Sequence, residues 1–511
     1  MRVMIDDREL ILDEGEKLNG IEAARRVGIH IPHYCYHPGL SVVGSCRMCL
    51  VEYGVQDPDS GEVRMPRRLL PACKLEMTDG SVITTDSETV RAARARVEEG
   101  LLLRHPIDCP VCDKAGECFL QDYHFEHGQP ERRAEVRPFT SRKRDLSDKI
   151  RLFVDRCVMC SRCVRFTREV SGDATMMVTN RGAESEIDVF PGHPVDGPLA
   201  CNVVDLCPVG ALADREFLYR QRVWFMKARP SVCARCSTGC SIWIDENQGH
   251  IWRIRPRENQ AVNQWWICDD GRHGFGYVHS ADRLTTPLRR TERGAVPIDW
   301  PTVLDEIKQS FQDAQRPAAI LSPMMTIEEA ELAARWIRTL DPAAPLALGP
   351  VPTEGDDQTF PTGFKIHAEK CPNRRGVERI LQKWTGRVTT LDMFLNDLST
   401  GAPDALWIAA GYPQPWLDDA TTDRLAEIQT LVIHDLFPTP LSDRATYVLP
   451  SAAWPERSGS FINATDHLQT FSSAIRPPTG LRPDGSIYWR LLNYEGLYRP
   501  ADVLRDLEAT L

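Results

Sequence analysis

Sixteen side chains carry the chemistry legible in this sequence of 511 residues. Fifteen are cysteines, one is a histidine, and they fall into four groups of four. The first group is Cys35, Cys46, Cys49 and Cys73, spaced C-x10-C-x2-C-x23-C. The second is His105, Cys109, Cys112 and Cys118, spaced H-x3-C-x2-C-x5-C. Cys157, Cys160, Cys163 and Cys207 form the third, which opens C-x2-C-x2-C and closes on a cysteine followed by Pro208. The fourth is Cys233, Cys236, Cys240 and Cys268, spaced C-x2-C-x3-C-x27-C. Of 17 cysteines only Cys201 and Cys371 stand outside these groups. Thiolates in close C-x2-C pairs are soft ligands for iron–sulfur clusters or zinc. Four such groups on one chain imply a row of one-electron centres, and no acid, base or nucleophile is assigned.

Each group has its own reading. The first resembles the loop and distant fourth cysteine that hold a [2Fe–2S] cluster, and its ten-residue loop argues against structural zinc. Gly39 and Gly44 are expected to let the backbone approach the sulfides. The second group is ambiguous, because one imidazole and three thiolates suit tetrahedral zinc as well as a cluster. In a cluster, neutral imidazole in place of thiolate removes a negative charge and raises the potential. In the third group Thr167 stands where a bacterial ferredoxin run has its fourth cysteine, and the ligand comes from the C-P cysteine Cys207. One [4Fe–4S] site of a two-cluster ancestor is thereby kept. The other site's ligand positions read Asp196 or its neighbours, Ala200 and Val203. Cys201 lies out of register and reads as a packed thiol. Trp265 and Trp266 flank Cys268, as shield or as packing.

The positioning elements follow from pattern. The length requires several domains. Composition is 42% hydrophobic and 26% charged, with no apolar run long enough to span a membrane. The acidic start MRVMIDDREL does not read as a signal peptide. Sparse cysteines in close pairs favour a reducing compartment over a disulfide scaffold. The formal charge is −11, and thiolate-held clusters would add about −7, which disfavours nucleic acid as a partner. The basic residues Arg132, Arg133, Arg137, Arg142, Lys143 and Arg144 are interleaved with acids and read as a solvated linker over 126–150.

Residues 1–6 and 9–12 read as a hairpin with Val3, Ile5, Leu10 and Leu12 on one face, and 20–28 as a short helix. A helix is expected from Ser87, with Asp86 as N-cap and Val90, Ala93, Val97 and Leu101 on one stripe. It delivers the chain to His105. Further on, 317–322, 405–410 and 430–434 read as buried strands, and 326–340 and 421–429 as helices. The fold class is therefore multidomain, mixed α+β and α/β.

The strings CRMCLVE, HPIDCPVCDKAGECFLQD, RCVMCSRCVRF, DLCPVGAL and CDDGRHGFGYVHS, in this order, resemble the large iron–sulfur (G) subunit of respiratory complex I, NADH:quinone oxidoreductase. The resemblance covers residues 1 to about 285. It implies a β-grasp, plant-type [2Fe–2S] ferredoxin domain over 1–86. A helical [4Fe–4S] segment over 87–128, with one histidine and three cysteines as ligands, comes next. A bacterial-ferredoxin-like [4Fe–4S] domain over 145–223 and a [4Fe–4S] module of molybdopterin-oxidoreductase type over 224–284 follow. Residues 285–511, with ATYVLP and GSFINATDHL, resemble a shortened α/β molybdopterin-oxidoreductase domain. The resemblance implies one [2Fe–2S] cluster, three [4Fe–4S] clusters and no molybdenum; Cys371, in KCPNRRG, is not expected to be a molybdenum ligand. Electrons would pass from a flavin/NADH-binding partner through the first, third and second centres toward quinone-side subunits, with the fourth off the main path. No Gly-rich dinucleotide fingerprint is present, so the chain alone is not expected to oxidise NADH. The implied place is cytoplasmic, peripheral on the inner face of a bacterial membrane and without insertion. Rival readings are the iron–sulfur subunit of an NAD-linked hydrogenase, a formate dehydrogenase-like oxidoreductase, and a zinc-stabilised scaffold.

Overall fold

The structure, a computed structural model, describes residues 1–131, 133–140 and 143–507, so Arg132 and Arg142 of the basic stretch lie outside the described residues. The chain divides into two compact units, Met1–Met226 with Phe360–Thr362, and Lys227–Thr359 with Gly363–Leu511.

In the first unit, strands Arg2–Ile5 and Arg8–Ile11 form an antiparallel hairpin. Alternation buries Val3 and Ile5 while Ile11 stays 72% exposed, and Leu10 is half-buried. Arg2–Ile5 runs parallel to Ser81–Thr84, which pairs antiparallel with Leu50–Gln56. Helix Gly20–Arg26 starts at a capping box between Asn19 and Glu22 and buries Ile21, Ala23 and Ala24 against this sheet.

The next helix, Glu88–Leu102, differs from expectation in two ways. Its N-cap is Ser87, whose Oγ accepts from Val90 N at 3.2 Å, while Asp86 pairs with Arg91 at 3.0 Å. Its buried residues are Val90, Arg94, Ala95 and Glu98; Ala93, Val97 and Leu101 are only half-buried. Glu98 is drawn inward because it accepts a 2.6 Å hydrogen bond from the buried hydroxyl of Tyr34. Residues 126–150 are also less free than a linker. Arg133 donates from Nε to both carboxylate oxygens of Glu99 at 2.8 and 2.9 Å, and Arg144–Asp145 pairs with Ile150–Leu152. Leu212–Asp214 completes that three-stranded sheet.

The second unit opens with three antiparallel strands, Lys227–Val232, Ser241–Asn247 and His250–Pro256. Its larger sheet has five parallel strands in the order Tyr447–Pro450, Thr430–Asp435, Ala405–Ala409, Pro317–Leu321, Leu346–Leu348. Leu288–Thr291 and Gly294–Pro297 add antiparallel strands at one edge. Alternate residues of the parallel strands feed two different cores: Ala319, Trp407 and Val432 enter one, Ile320, Ile408 and Ile433 the other. Helices therefore cover both faces, as a parallel sheet requires. Helix Ile327–Leu340 starts at a capping box between Thr326 and Glu329, and the expected helix near 421–429 is Asp419–Leu425, capped by Asp418. A buried ion pair, Arg283 with Glu456 at 2.6 Å, ties 283 to 456 inside this unit. Among the described residues no helix is long and apolar enough to cross a membrane.

Candidate metal centres

The first group sits on the loop between helix Gly20–Arg26 and strand Leu50–Gln56, with Cys73 on the turn Ala72–Lys74. Its thiols face each other in two hydrogen-bonded pairs, Cys35 with Cys46 and Cys49 with Cys73. Cys35 is drawn down to about 5 by the hydrogen bond from Cys46, which is itself pushed up. Cys49 and Cys73 divide in the same sense. Two thiol pairs suit a binuclear centre, in which each iron takes two protein sulfurs. Gly44 adopts φ +66°, so its glycine is favoured by the turn, while the Lys74 side chain that a Cβ would meet there is free to swing aside.

The second group follows helix Glu88–Leu102. His105, Cys109 and Cys118 line a cavity of about 320 Å³ walled by Leu102, Ile107 and Leu120. Burial, then Arg156, lower His105 to about 4, so its ring is neutral and able to act as a ligand near neutral pH. Burial pushes the Cys118 thiol up to about 11. The thiol of Cys112 abuts Gly210: a Cβ added to that glycine would lie 2.2 Å from Sγ.

The third group lines one small cavity with all four of its cysteines, together with Leu152, Ile187, Val209 and Leu212. Two non-glycine residues between the ligands, Met159 (φ +50°) and Ser161 (φ +56°), are left-handed. Such strain is concentrated where a site over-determines the backbone, and here it brings Met159 N to 3.4 Å from Cys157 Sγ. Burial pushes Cys160 up to about 11 and raises Cys157 and Cys163 further. Thiols so placed are neutral on their own and become thiolates only against a cation. Thr167 is buried and bonded locally, its Oγ1 donating to Val164 O at 3.2 Å. Ala200 and Val203 are buried apolar positions and Asp196 is exposed, so these three do not gather as ligands.

The fourth group lies in the second unit, where Cys233 follows strand Lys227–Val232 and Cys268 precedes helix Asp269–His273. Cys233 N donates to Cys240 O at 2.8 Å, and Gly271 N to Cys268 Sγ at 3.2 Å. A Cβ at Gly271 would meet the sulfurs of Cys233 and Cys268 at 3.2 and 3.3 Å, which places both around one small space. Segments far along the chain hold this loop: Asn463 Nδ2 donates to Thr238 O (3.0 Å), Gln469 Nε2 to Gly239 O (2.7 Å), and Ser237 N to Glu369 O (3.0 Å). Cys371 is buried apart, its Sγ directed at Glu369 Oε1.

Sequence reasoning missed the residues that join the groups. Arg165 donates to Cys35 O at 2.5 Å and to Cys160 O at 3.2 Å, spanning the first and third groups. Arg162 donates to Tyr36 O at 2.5 Å and to Leu206 O at 3.2 Å. Phe119 N, next to Cys118, donates to Pro208 O, next to Cys207, at 2.9 Å, which joins the second group to the third. The Nε atoms of both arginines are buried without a hydrogen-bond partner among the described residues. Orphaned buried cations beside buried thiols fit an anionic, thiolate-held cluster at these positions.

Five family models match in sequence. They are a 2Fe-2S iron–sulfur cluster binding domain over 1–88, the NADH-ubiquinone oxidoreductase-G iron–sulfur binding region over 94–133, and the ferredoxin-like domain of NADH-quinone oxidoreductase subunit 3 over 147–213. A molybdopterin oxidoreductase Fe4S4 domain over 226–280 and a molybdopterin oxidoreductase model over 362–494 follow. The G subunit of the Streptomyces coelicolor NADH-quinone oxidoreductase is 37% identical over 339 residues, 65% of this chain and 39% of that one. Subunit 3 of the Thermus thermophilus NADH-quinone oxidoreductase is 35% identical over 367 residues, 66% of this chain and 46% of that one. The matched stretch thus spans under half the length of these relatives. Among solved structures, a chain of an NAD+-reducing [NiFe]-hydrogenase is 26% identical, covering 43% of this chain and 90% of that one, with a TM-score of 0.37. Over about two thirds of its length, with iron–sulfur domains in this order, the chain is therefore similar in sequence to the G subunits of NADH-quinone oxidoreductases.

Proposed function

We propose that this chain is the electron-relay iron–sulfur subunit of an NADH:quinone oxidoreductase. It would take single electrons from a flavin/NADH-binding partner and deliver them toward quinone-side subunits, as a peripheral component at the inner face of the cell membrane. In this reading the first group holds a [2Fe–2S] cluster, the other three hold [4Fe–4S] clusters, and no molybdenum is bound. When bound, such clusters supply reversible one-electron chemistry with little change in shape.

The chain's own residues do the rest. Buried thiols and the neutral His105 bind, and apolar side chains line much of the second and third groups. The observation that carries the reading is the bridging by backbone and guanidinium contacts. Arg165 links the loops of the first and third groups, and the Phe119–Pro208 hydrogen bond links the third and second. This is the order first, third, second that the family resemblance implies. We assign the domains as 1–86 (β-grasp ferredoxin), 87–128, 145–223 (bacterial-ferredoxin-like), 224–284 and 285–511 (shortened molybdopterin-oxidoreductase type).

The test is metal analysis of anaerobically purified protein with EPR after dithionite. About fourteen iron per chain, no molybdenum, and one binuclear with several tetranuclear signals is the expected result. Stoichiometric molybdenum would make the chain a dehydrogenase in its own right, and zinc without iron would overturn the relay.

A further inference from the structure

Arg162 and Arg165 lie on the short helix Arg162–Phe166, and they are 5% and 4% exposed. Neither forms an ion pair with a carboxylate among the described residues. Their hydrogen bonds go to carbonyls of both ligand loops: Cys35, Tyr36 and Ser41 from the first group's loop, Cys160 and Leu206 from the third's. The carboxylate that Arg165 influences, Glu169, is already engaged by Ser41 N at 2.8 Å, Ser41 Oγ at 2.6 Å and Arg168 at 3.1 Å. Two like charges buried side by side, with carbonyl dipoles, the Phe119 ring under Arg162 and an already engaged Glu169 for company, are unfavourable unless further anions stand close by. The thiol groups on either side are the places where such anions form.

We propose that Arg162 and Arg165 are a shared counter-charge for the first and third centres, holding both reduction potentials up together and keeping the electron step between them near level. The proposal rests on the relay reading above. Each centre gains one electron and one negative charge on reduction; no bond is made or broken and no proton moves. A fixed cation in a water-excluded site favours the more negative, reduced form. Because each guanidinium touches both loops, its removal acts on both centres, which a residue serving one cluster alone would not do.

The experiment is a potentiometric EPR titration of the full chain. The third centre is identified as the tetranuclear signal lost in Cys163→Ala. Arg162→Gln and Arg165→Gln are each expected to lower the reduction equilibrium of both centres about tenfold or more, which is about 59 mV for a one-electron couple. Arg→Lys at either position is expected to recover most of the shift. Glu169→Gln, which removes an anion near Arg165 and disturbs no proposed ligand, should move the potentials the opposite way. Unchanged potentials in the Gln variants with iron retained, or a shift at one centre only, would overturn the proposal. Should the Gln variants lose iron, unchanged potentials in Glu169→Gln would overturn it. Absence of iron or of a binuclear signal in the wild-type chain would instead sink the relay reading itself.

Discussion

Replacing Gly210 by alanine probes the contact between the second and third groups with a single methyl group. Gly210 is not among the glycines with positive φ, so its backbone accepts alanine without strain. The obstacle is the side chain: its Cβ would fall 2.2 Å from Cys112 Sγ and 3.3 Å from Lys114 Cβ. Non-bonded heavy atoms settle near 3.5–4.0 Å, so the sulfur must retreat by more than about 1 Å. Metal–sulfur distances tolerate only about 0.2 Å, so Cys112 cannot remain a ligand after such a shift. Overpacking of this kind costs roughly 1–3 kcal/mol, against a typical domain stability of about 5–15 kcal/mol, so the fold survives. Gly210→Ala is therefore expected to lose the His105 centre alone. Iron should fall from about fourteen to about ten per chain, with one tetranuclear EPR signal gone and the binuclear one intact. Cys112→Ala should lose the same iron without the strain, and the double variant should recover thermal stability but no iron. Full iron and unaltered signals in Gly210→Ala would refute the contact.

Gly271→Ala is a graded counterpart. Its Cβ would sit 3.2–3.3 Å from Cys233 and Cys268 sulfurs, a squeeze of a few tenths of an ångström, so the fourth centre should broaden or shift in EPR and keep its iron. Glu456→Gln breaks the buried pair with Arg283, whose partners are 2% exposed on each side, and should destabilise the second unit by about 3–5 kcal/mol in urea unfolding. A loss below about 1 kcal/mol would mean the charges are solvated. Burial raises Glu328 from 4.5 to about 7, and its carboxyl meets Ser460 N at 2.9 Å and Oγ at 2.6 Å. Between those values the folded form holds a proton that the unfolded form has lost, so stability falls as pH rises through that window, by about 3 kcal/mol in full. Glu328→Gln should flatten the dependence of the unfolding midpoint between pH 5 and pH 8; an unchanged slope would remove Glu328 as its source.

The cysteine groupings were legible because close C-x2-C spacings are a local pattern, whatever the surrounding fold. The parallel strands were legible because strands covered on both faces read as unbroken apolar runs: PAAILS, ALWIAA and TLVIH mark Pro317–Leu321, Ala405–Ala409 and Thr430–Asp435. Burial of polar side chains was not legible. Glu98 points inward to meet the Tyr34 hydroxyl and Arg94 is buried on the same helix, yet in sequence both look like the wet side of an amphipathic helix. Arg162 and Arg165 were hidden for the same reason, since nothing local distinguishes a buried guanidinium from a solvated one. Asp86 and Ser87 are both good caps, and only the path of the chain decides between them. Asn463, Gln469 and Gly210 act across long separations that no local pattern encodes.

The joint between Phe119 and Pro208, with Gly210 against Cys112, also bears on how the protein is made. All four thiols of the first group precede the strand Ser81–Thr84 that closes their sheet, so an emerging chain can complete that pocket early in synthesis. The His105 pocket cannot be finished on the same schedule. Its ligands leave the ribosome well before Cys207–Gly210, and until that turn arrives Cys112 lacks its wall and Phe119 its acceptor. On the relay reading proposed above, vectorial synthesis would impose a loading order on the metal, with the histidine-bearing pocket waiting open for a segment encoded far downstream. A chain cut anywhere between the two would carry every ligand of the second group and still lack part of the pocket that holds them.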